Sequence, residues 1–250
     1  MAGHGTSLQY CAAQDASAGF VHSTRATSIT AMAPRTSLVA TLALISSTAF
    51  ALPPLQRSAA PVLPLNEVGP GLPPPPPGAS PVFIALGVGT QNYTCNATSL
   101  TFGSNVALAD LYDVTRFINA NTKNSITNLY LAASTTPIKN PLQLQHIGKH
   151  YFTKTSLGNS PNFDFTESGK GFLQAKKVAN VAAPVDAWAG LKGQAYGAVD
   201  WLYLVDNGLG VSRQLGSVYR VEAAGGKPPA SCKAGEQAFV PYAAEYWFYK

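Results

Sequence analysis

Charge is what this chain has least of. Only 12% of its 250 residues are Asp, Glu, Lys or Arg, about half the share of an ordinary soluble domain, so Ser, Thr, Asn, Gln and Tyr must supply most of the polar surface. The formal net charge is +5 and the single adjacent basic pair is Lys176 with Lys177. No basic stripe exists that could track a phosphate backbone, which argues against nucleic acid as a partner. The sequence also lacks a CxxC pair, a Walker A loop, a G-x-S-x-G elbow and an H-E-x-x-H helix, and with them the redox, nucleotide, serine-hydrolase and zinc-protease chemistries that those spacings carry. No apolar run reaches the roughly 20 residues of a membrane-spanning helix; the longest, Leu38 to Ala51, predicts no permanent membrane span.

A third glycine is missing where it would matter most. The stretch PVFIALGVGTQNYTC, residues 81–95, ends an apolar run in Gly87-x-Gly89, the opening of a dinucleotide-binding turn. Asn92 stands where that fingerprint needs its last glycine, and the residues after it have no helical period. The two glycines read instead as a turn or bulge between two strands, and no cofactor is expected.

What is present concerns export first. From Met32 the chain reads MAPRTSLVATLALISSTAFALP: Arg35 gives a short positive region, Leu38 to Ala51 an apolar one, and Ala49-Phe50-Ala51 a small-residue cleavage site, the three parts of a secretory signal peptide. Residues 32–51 are therefore expected to be removed and the mature protein to be secreted, with residues 1–31 a gene-model extension. An organellar transit peptide is the competing reading, since residues 1–35 are rich in Ser, Thr and Ala with Arg25, Arg35 and one acid, Asp15. Of three cysteines, Cys11 falls in the leader. Cys95 and Cys232 remain as an even pair, which points to a disulfide in an oxidising compartment, the alternative being two separate buried thiols. Asn92-Tyr93-Thr94 and Asn96-Ala97-Thr98 are glycosylation acceptors.

Residues 52–81 are proline-rich, including GPGLPPPPPGASP, and predict an extended spacer without a core of its own. From about residue 82 short segments rich in Val, Ile, Tyr, Phe and Thr are broken by Gly, Asn and Pro, which predicts a single mainly-β domain over 82–250. Strands are expected at 82–86, 91–95, 99–102, 107–114, 126–131, 146–153, 171–178, 199–205, 217–222 and 239–249, with a short helix around 110–121. In the last strand Tyr242, Ala244, Tyr246 and Phe248 share one face and Ala243, Glu245, Trp247 and Tyr249 the other, so both faces are covered and the strand is central or closes a barrel. The expected fold is a β-sandwich or distorted β-barrel with at most one or two short helices, behind a disordered N-terminal region.

Candidate chemistry is sparse. His146 and His150 lie four apart, a spacing that puts both on one face of a regular element and makes them weak metal candidates. Asp164, Asp200 and Glu245 are acids in aromatic surroundings. Burial would raise their pKa values, and with His150 they are the catalytic candidates for a hydrolase. The bland alternative is a carboxylate bonded to nearby backbone or to Arg220. Trp201, Tyr203, Tyr246 and Trp247 are the candidate binding rings for a polysaccharide.

The ordered motifs LGVGTQNYTC, LYDVT, GKHYF, VDWLYL, VYRVEAAGGKPPASC and VPYAAEYWFY resemble the domain of unknown function 3455 family over about residues 82–250. The resemblance implies a secreted fungal or bacterial protein with no catalytic residues to carry over, and directs attention to His150, Asp200 and Glu245. Fungal relatives often carry the label malate dehydrogenase, which the failed glycine fingerprint does not support. The expected function is a secreted or cell-surface binding module; a hydrolase is the alternative and a dehydrogenase the minor one.

Overall fold

The computed structural model describes residues 61–119 and 125–250. The expected gene-model extension, the expected signal peptide and the first residues of the proline-rich stretch lie outside them. Of the two all-β forms that the sequence allows, the chain adopts the barrel. Eight strands follow one another round a closed sheet, each antiparallel to the next: β1 Phe83–Cys95, β2 Phe102–Asp113, β3 His146–Thr155, β4 Gly158–Phe165, β5 Gly171–Val181, β6 Trp201–Asp206, β7 Ser217–Gly225 and β8 Gln237–Tyr249. β8 pairs with both β7 and β1, so it is the closing strand. Closure removes the exposed edges that an open sheet would have to protect.

The alternation read in β8 explains how the wall is built. Tyr242, Ala244, Tyr246 and Phe248 face the interior, their four intervening neighbours face outward, and all eight are buried. An outer face of Ala243, Glu245, Trp247 and Tyr249 must be covered from outside. One cover is the helix α1 Ser125–Ala133, which packs Ile126, Tyr130 and Leu131 toward β7, β8 and β1. The other is the proline-rich segment. Leu72 joins the core, with Leu63, Leu65 and Val68 packed against it, and the Tyr219 hydroxyl donates to the Pro73 carbonyl at 2.9 Å. From residue 61 onward, then, this segment is a strap on the barrel as well as a spacer.

Several expected boundaries move. The strands placed at 82–86 and 91–95 are one 13-residue strand, β1, and no turn occurs at Gly87 or Gly89. A Cβ on Gly87 would lie 2.5 Å from Cε2 of Tyr246, and one on Gly89 only 1.8 Å from the Leu108 carbonyl oxygen. These glycines make room for a ring of β8 and for close approach of β2. Residues 126–131 are helical because Ile126, Tyr130 and Leu131 form one buried face, a tertiary demand that overrides local strand preference. The helix expected around 110–121 is absent at its start, where residues 110–113 complete β2. β4 was not anticipated; Pro161, which reads as a strand breaker, lies within it opposite Phe152.

One end of the interior is filled. Phe83 stacks on Phe248 and meets Phe165 edge-on, both at 4.9 Å between ring centres, and Phe163 meets Phe248 edge-on at 5.3 Å. Lys170 lies 5.0 Å above the Phe83 ring and pairs with Asp113 at 3.2 Å. At the far end of β1 a disulfide joins Cys95 to Cys232, 137 positions apart. Closing so long a loop removes unfolded-chain entropy worth on the order of 5 kcal/mol in the chain-entropy account.

Candidate ligand cavity

Beyond the phenylalanine plug the interior opens into a cavity of about 540 Å³. Strand alternation sets its lining. β1 turns Gln91 and Tyr93 inward, β3 His150, β6 Leu202 and Leu204, β7 Arg220 and β8 Tyr246. Apolar side chains such as Phe152, Phe163, Leu202 and Leu204 share the lining with about as many polar and charged ones, a mixture that can hold a small molecule and fix its orientation.

His150 is 4% exposed and lies flat against Phe163, ring centres 4.3 Å apart and planes within 6°. Its Nδ1 is 2.8 Å from the Asn162 carbonyl oxygen, so Nδ1 carries the proton and Nε2 is the acceptor. Burial, aided by the nearby Arg220 charge and opposed by the carbonyl, depresses its pKa to about 4. The imidazole is therefore neutral at physiological pH. Arg220 is 8% exposed and donates from Nε and Nη2 to the Asp200 carbonyl at 3.1 and 2.8 Å. The ion pairs among the described residues join His146 to Asp110, Lys170 to Asp113 and Lys227 to Asp200; Arg220 is in none of them. Tyr246 shares a 2.9 Å hydroxyl contact with Tyr242. Tyr93 donates to the Gly226 carbonyl at 2.6 Å, and burial pushes its pKa up to about 12.

The sequence-predicted residues divide between this cavity and the outside. His150, Asp200 and Tyr246 line it. The Asp200 carboxylate accepts from Asn180 at 3.0 Å and faces Lys227 at 3.9 Å. Asp164 is on the outer face, where it accepts from Tyr151 and from both the backbone and hydroxyl of Thr166. Burial would raise its pKa, but those hydrogen bonds prevail and lower it. Glu245 is also outside, 2% exposed beneath the cover of β8, and accepts from the Trp247 indole at 2.9 Å. Burial drives its pKa up to about 8 against that hydrogen bond, with Glu222 and Glu67 adding to the rise. His146 and His150 do not share a face: Leu111 pairs with Gly148 and Tyr112 with His146, so Ile147 is an extra residue and the bulge turns His146 outward toward Asp110. Among the described residues no three metal-ligating side chains converge.

The proposed binding rings do not form one surface. Trp201 and Trp247 are fully buried, Tyr203 stacks on Tyr219 at 4.5 Å, and Tyr246 alone faces the cavity. Asn96 is exposed in a turn, its side-chain oxygen accepting from the amides of Thr98 and Ser99. Asn92 is half-buried and paired on both sides within β1.

The family model described as protein of unknown function (DUF3455) matches residues 75–250. The chain belongs to this family. No curated protein and no solved structure matches it. Arg220, Gln91 and Tyr93 are among the cavity residues of this DUF3455 domain that the sequence did not single out as site residues. The available signal was Arg220 itself, a lone cation inside the apolar strand VYRVEAA. The match also takes in the end of the strap, which the sequence motifs had left outside.

Proposed function

We propose that this domain is a binding module that holds a small, largely apolar molecule inside the barrel. The observation that carries the reading is the 540 Å³ cavity, open space in a barrel whose other end is packed solid. Eight-stranded barrels are wide enough to be filled by side chains or to hold one small ligand, and here the phenylalanines do the first at one end only. A polysaccharide partner gains no support from rings that are buried apart from one another. The hydrolase alternative keeps His150 and Asp200 as its pair. A backbone carbonyl holds Nδ1 of His150, however, and the Asp200 carboxylate is engaged by Asn180 and Lys227 and not by the histidine. Titration of the purified protein with the neutral dye N-phenyl-1-naphthylamine tests the binding reading. Saturable one-to-one fluorescence is expected, together with its loss in Ala107→Phe, which fills the cavity from β2. Absence of saturable binding, or undiminished binding by a folded Ala107→Phe protein, overturns it.

We further propose that the domain is exported, as the signal-like segment and the Cys95–Cys232 bond together suggest, and that Asn96, exposed in its turn, is the better placed of the two glycan acceptors. N-terminal sequencing of native protein is expected to start within residues 52–60, and a mature form that retains residues 36–51 would refute export.

A further inference from the structure

A buried guanidinium that is in no ion pair among the described residues is the feature of the cavity that its binding role leaves unexplained. Arg220 is more than nine-tenths buried, lines the cavity, and is in none of the ion pairs among the described residues. A carbonyl dipole satisfies two of its five N–H donors. The dipole does not neutralise its charge, and burying a net charge is strongly unfavourable unless a counter-ion accompanies it. The surrounding groups do not provide one. His150 is neutral, Tyr93 and Tyr246 are phenols held protonated by burial, and the Asp200 carboxylate is engaged by Asn180 and Lys227. Around the whole cavity four cationic side chains, Lys176, Lys177, Arg220 and Lys227, stand against the single carboxylate of Asp200. Apolar lining adjoins the guanidinium: Leu202 is the cross-strand neighbour of Arg220, and Leu204 and Phe163 line the same cavity.

Building on the binding reading above, we infer that the ligand is a small organic acid bound as its anion, its carboxylate on the Arg220 donors that the Asp200 carbonyl does not hold, beside the Tyr246 hydroxyl, and its apolar body against Phe163, Leu202 and Leu204. A planar guanidinium matches a carboxylate or sulfonate through paired N–H donors. His150 Nε2 and the Tyr246 hydroxyl are placed to position substituents on the same molecule. The Asp200 carbonyl holds the guanidinium edge in place, so its orientation is set before the ligand arrives.

The test compares two dyes that share a skeleton and differ in charge, N-phenyl-1-naphthylamine and 8-anilinonaphthalene-1-sulfonate, titrated into the full chain. The sulfonate is expected to bind at least ten-fold more tightly. Arg220→Met is expected to bring the ratio near one while the neutral dye still saturates, and Arg220→Lys to retain part of the preference. A variant that loses its fold takes up both dyes without saturation, so a lost ratio with saturable binding kept is not produced by unfolding. A second measurement needs no variant: 1-naphthoate is expected to displace the neutral dye at a concentration at least ten-fold below that of 1-naphthalenemethanol. Equal affinities for the two dyes in the unmodified protein, or a ratio that survives Arg220→Met, overturns the anion inference and leaves the binding reading standing. Failure of both dyes to bind overturns both.

Discussion

The two ends of the barrel interior draw on similar aromatic residues and use them differently. At one end Phe83, Phe163, Phe165 and Phe248 meet at centre-to-centre distances of 4.9 to 5.3 Å, and no polar atom needs satisfying. At the other, Tyr93, Tyr242 and Tyr246 carry hydroxyls that must find partners among themselves and the backbone, beside a buried cation. Space is left over. The filled end gains dispersion and hydrophobic stabilisation at native packing density, whereas the open end gives up packing for polar groups held in place around a void. Packing and open space are thus assigned to different lengths of the same strands: β1 starts in the plug at Phe83 and reaches the cavity at Gln91 and Tyr93.

The largest test of this division is Phe248→Ala. Phe248 is fully buried and touches the other three rings of the plug, so truncation should cost about 3–5 kcal/mol in urea unfolding, with dye affinity unchanged while the protein remains folded. Tyr246→Phe at the open end should cost only about 1 kcal/mol, the worth of its hydroxyl contact with Tyr242, while altering ligand affinity. Comparable stability losses from the two variants, or a drop in affinity with Phe248→Ala, would break the division.

How much of this was legible follows from the same contrast. Both faces of β8 could be read from the sequence because their period of two is uninterrupted from Tyr242 to Tyr249, and a strand covered on both sides points to closure. The pairing of Cys95 with Cys232 was legible from parity, once Cys11 is set aside in the expected leader. The histidine faces were not, because a bulge at Ile147 shifts the period by one and leaves no composition signal. Gly87 and Gly89 misread as a turn since their reason for being glycine lies in Tyr246 and Leu108, remote in sequence. Asp200 and His150 were found as site candidates by residue type, yet Glu245 was grouped with them although strand alternation sends it outward. Arg220 reads locally only as a partner for a carboxylate, and nothing local reveals that it is in no ion pair among the described residues.

Ionisation separates the inside of the wall from its outside more finely. Burial lowers His150 from 6.5 to about 4, so between those values the unfolded chain binds a proton that the native chain refuses, and stability falls as pH drops through that window. Burial raises Glu245 from 4.5 to about 8, so there the native chain keeps a proton that the unfolded chain has released, and stability falls as pH rises. Each contribution has a slope of about 1.4 kcal/mol per pH unit. The two oppose one another from 4.5 to 6.5, and above 6.5 the Glu245 slope acts alone, a loss of about 2 kcal/mol by pH 8. Urea midpoints at pH 5, 6.5 and 8 read this directly: Glu245→Gln should flatten the alkaline limb, and His150→Phe should expose a decline that begins near 4.5. If Glu245→Gln left the alkaline loss intact, the proton would have to reside on another group of the outer face, and the glutamate would be ionised where it lies. A change in dye affinity over the same range, with the fold intact, would instead place a titrating group inside the cavity, where a neutral His150 offers none above pH 6.5.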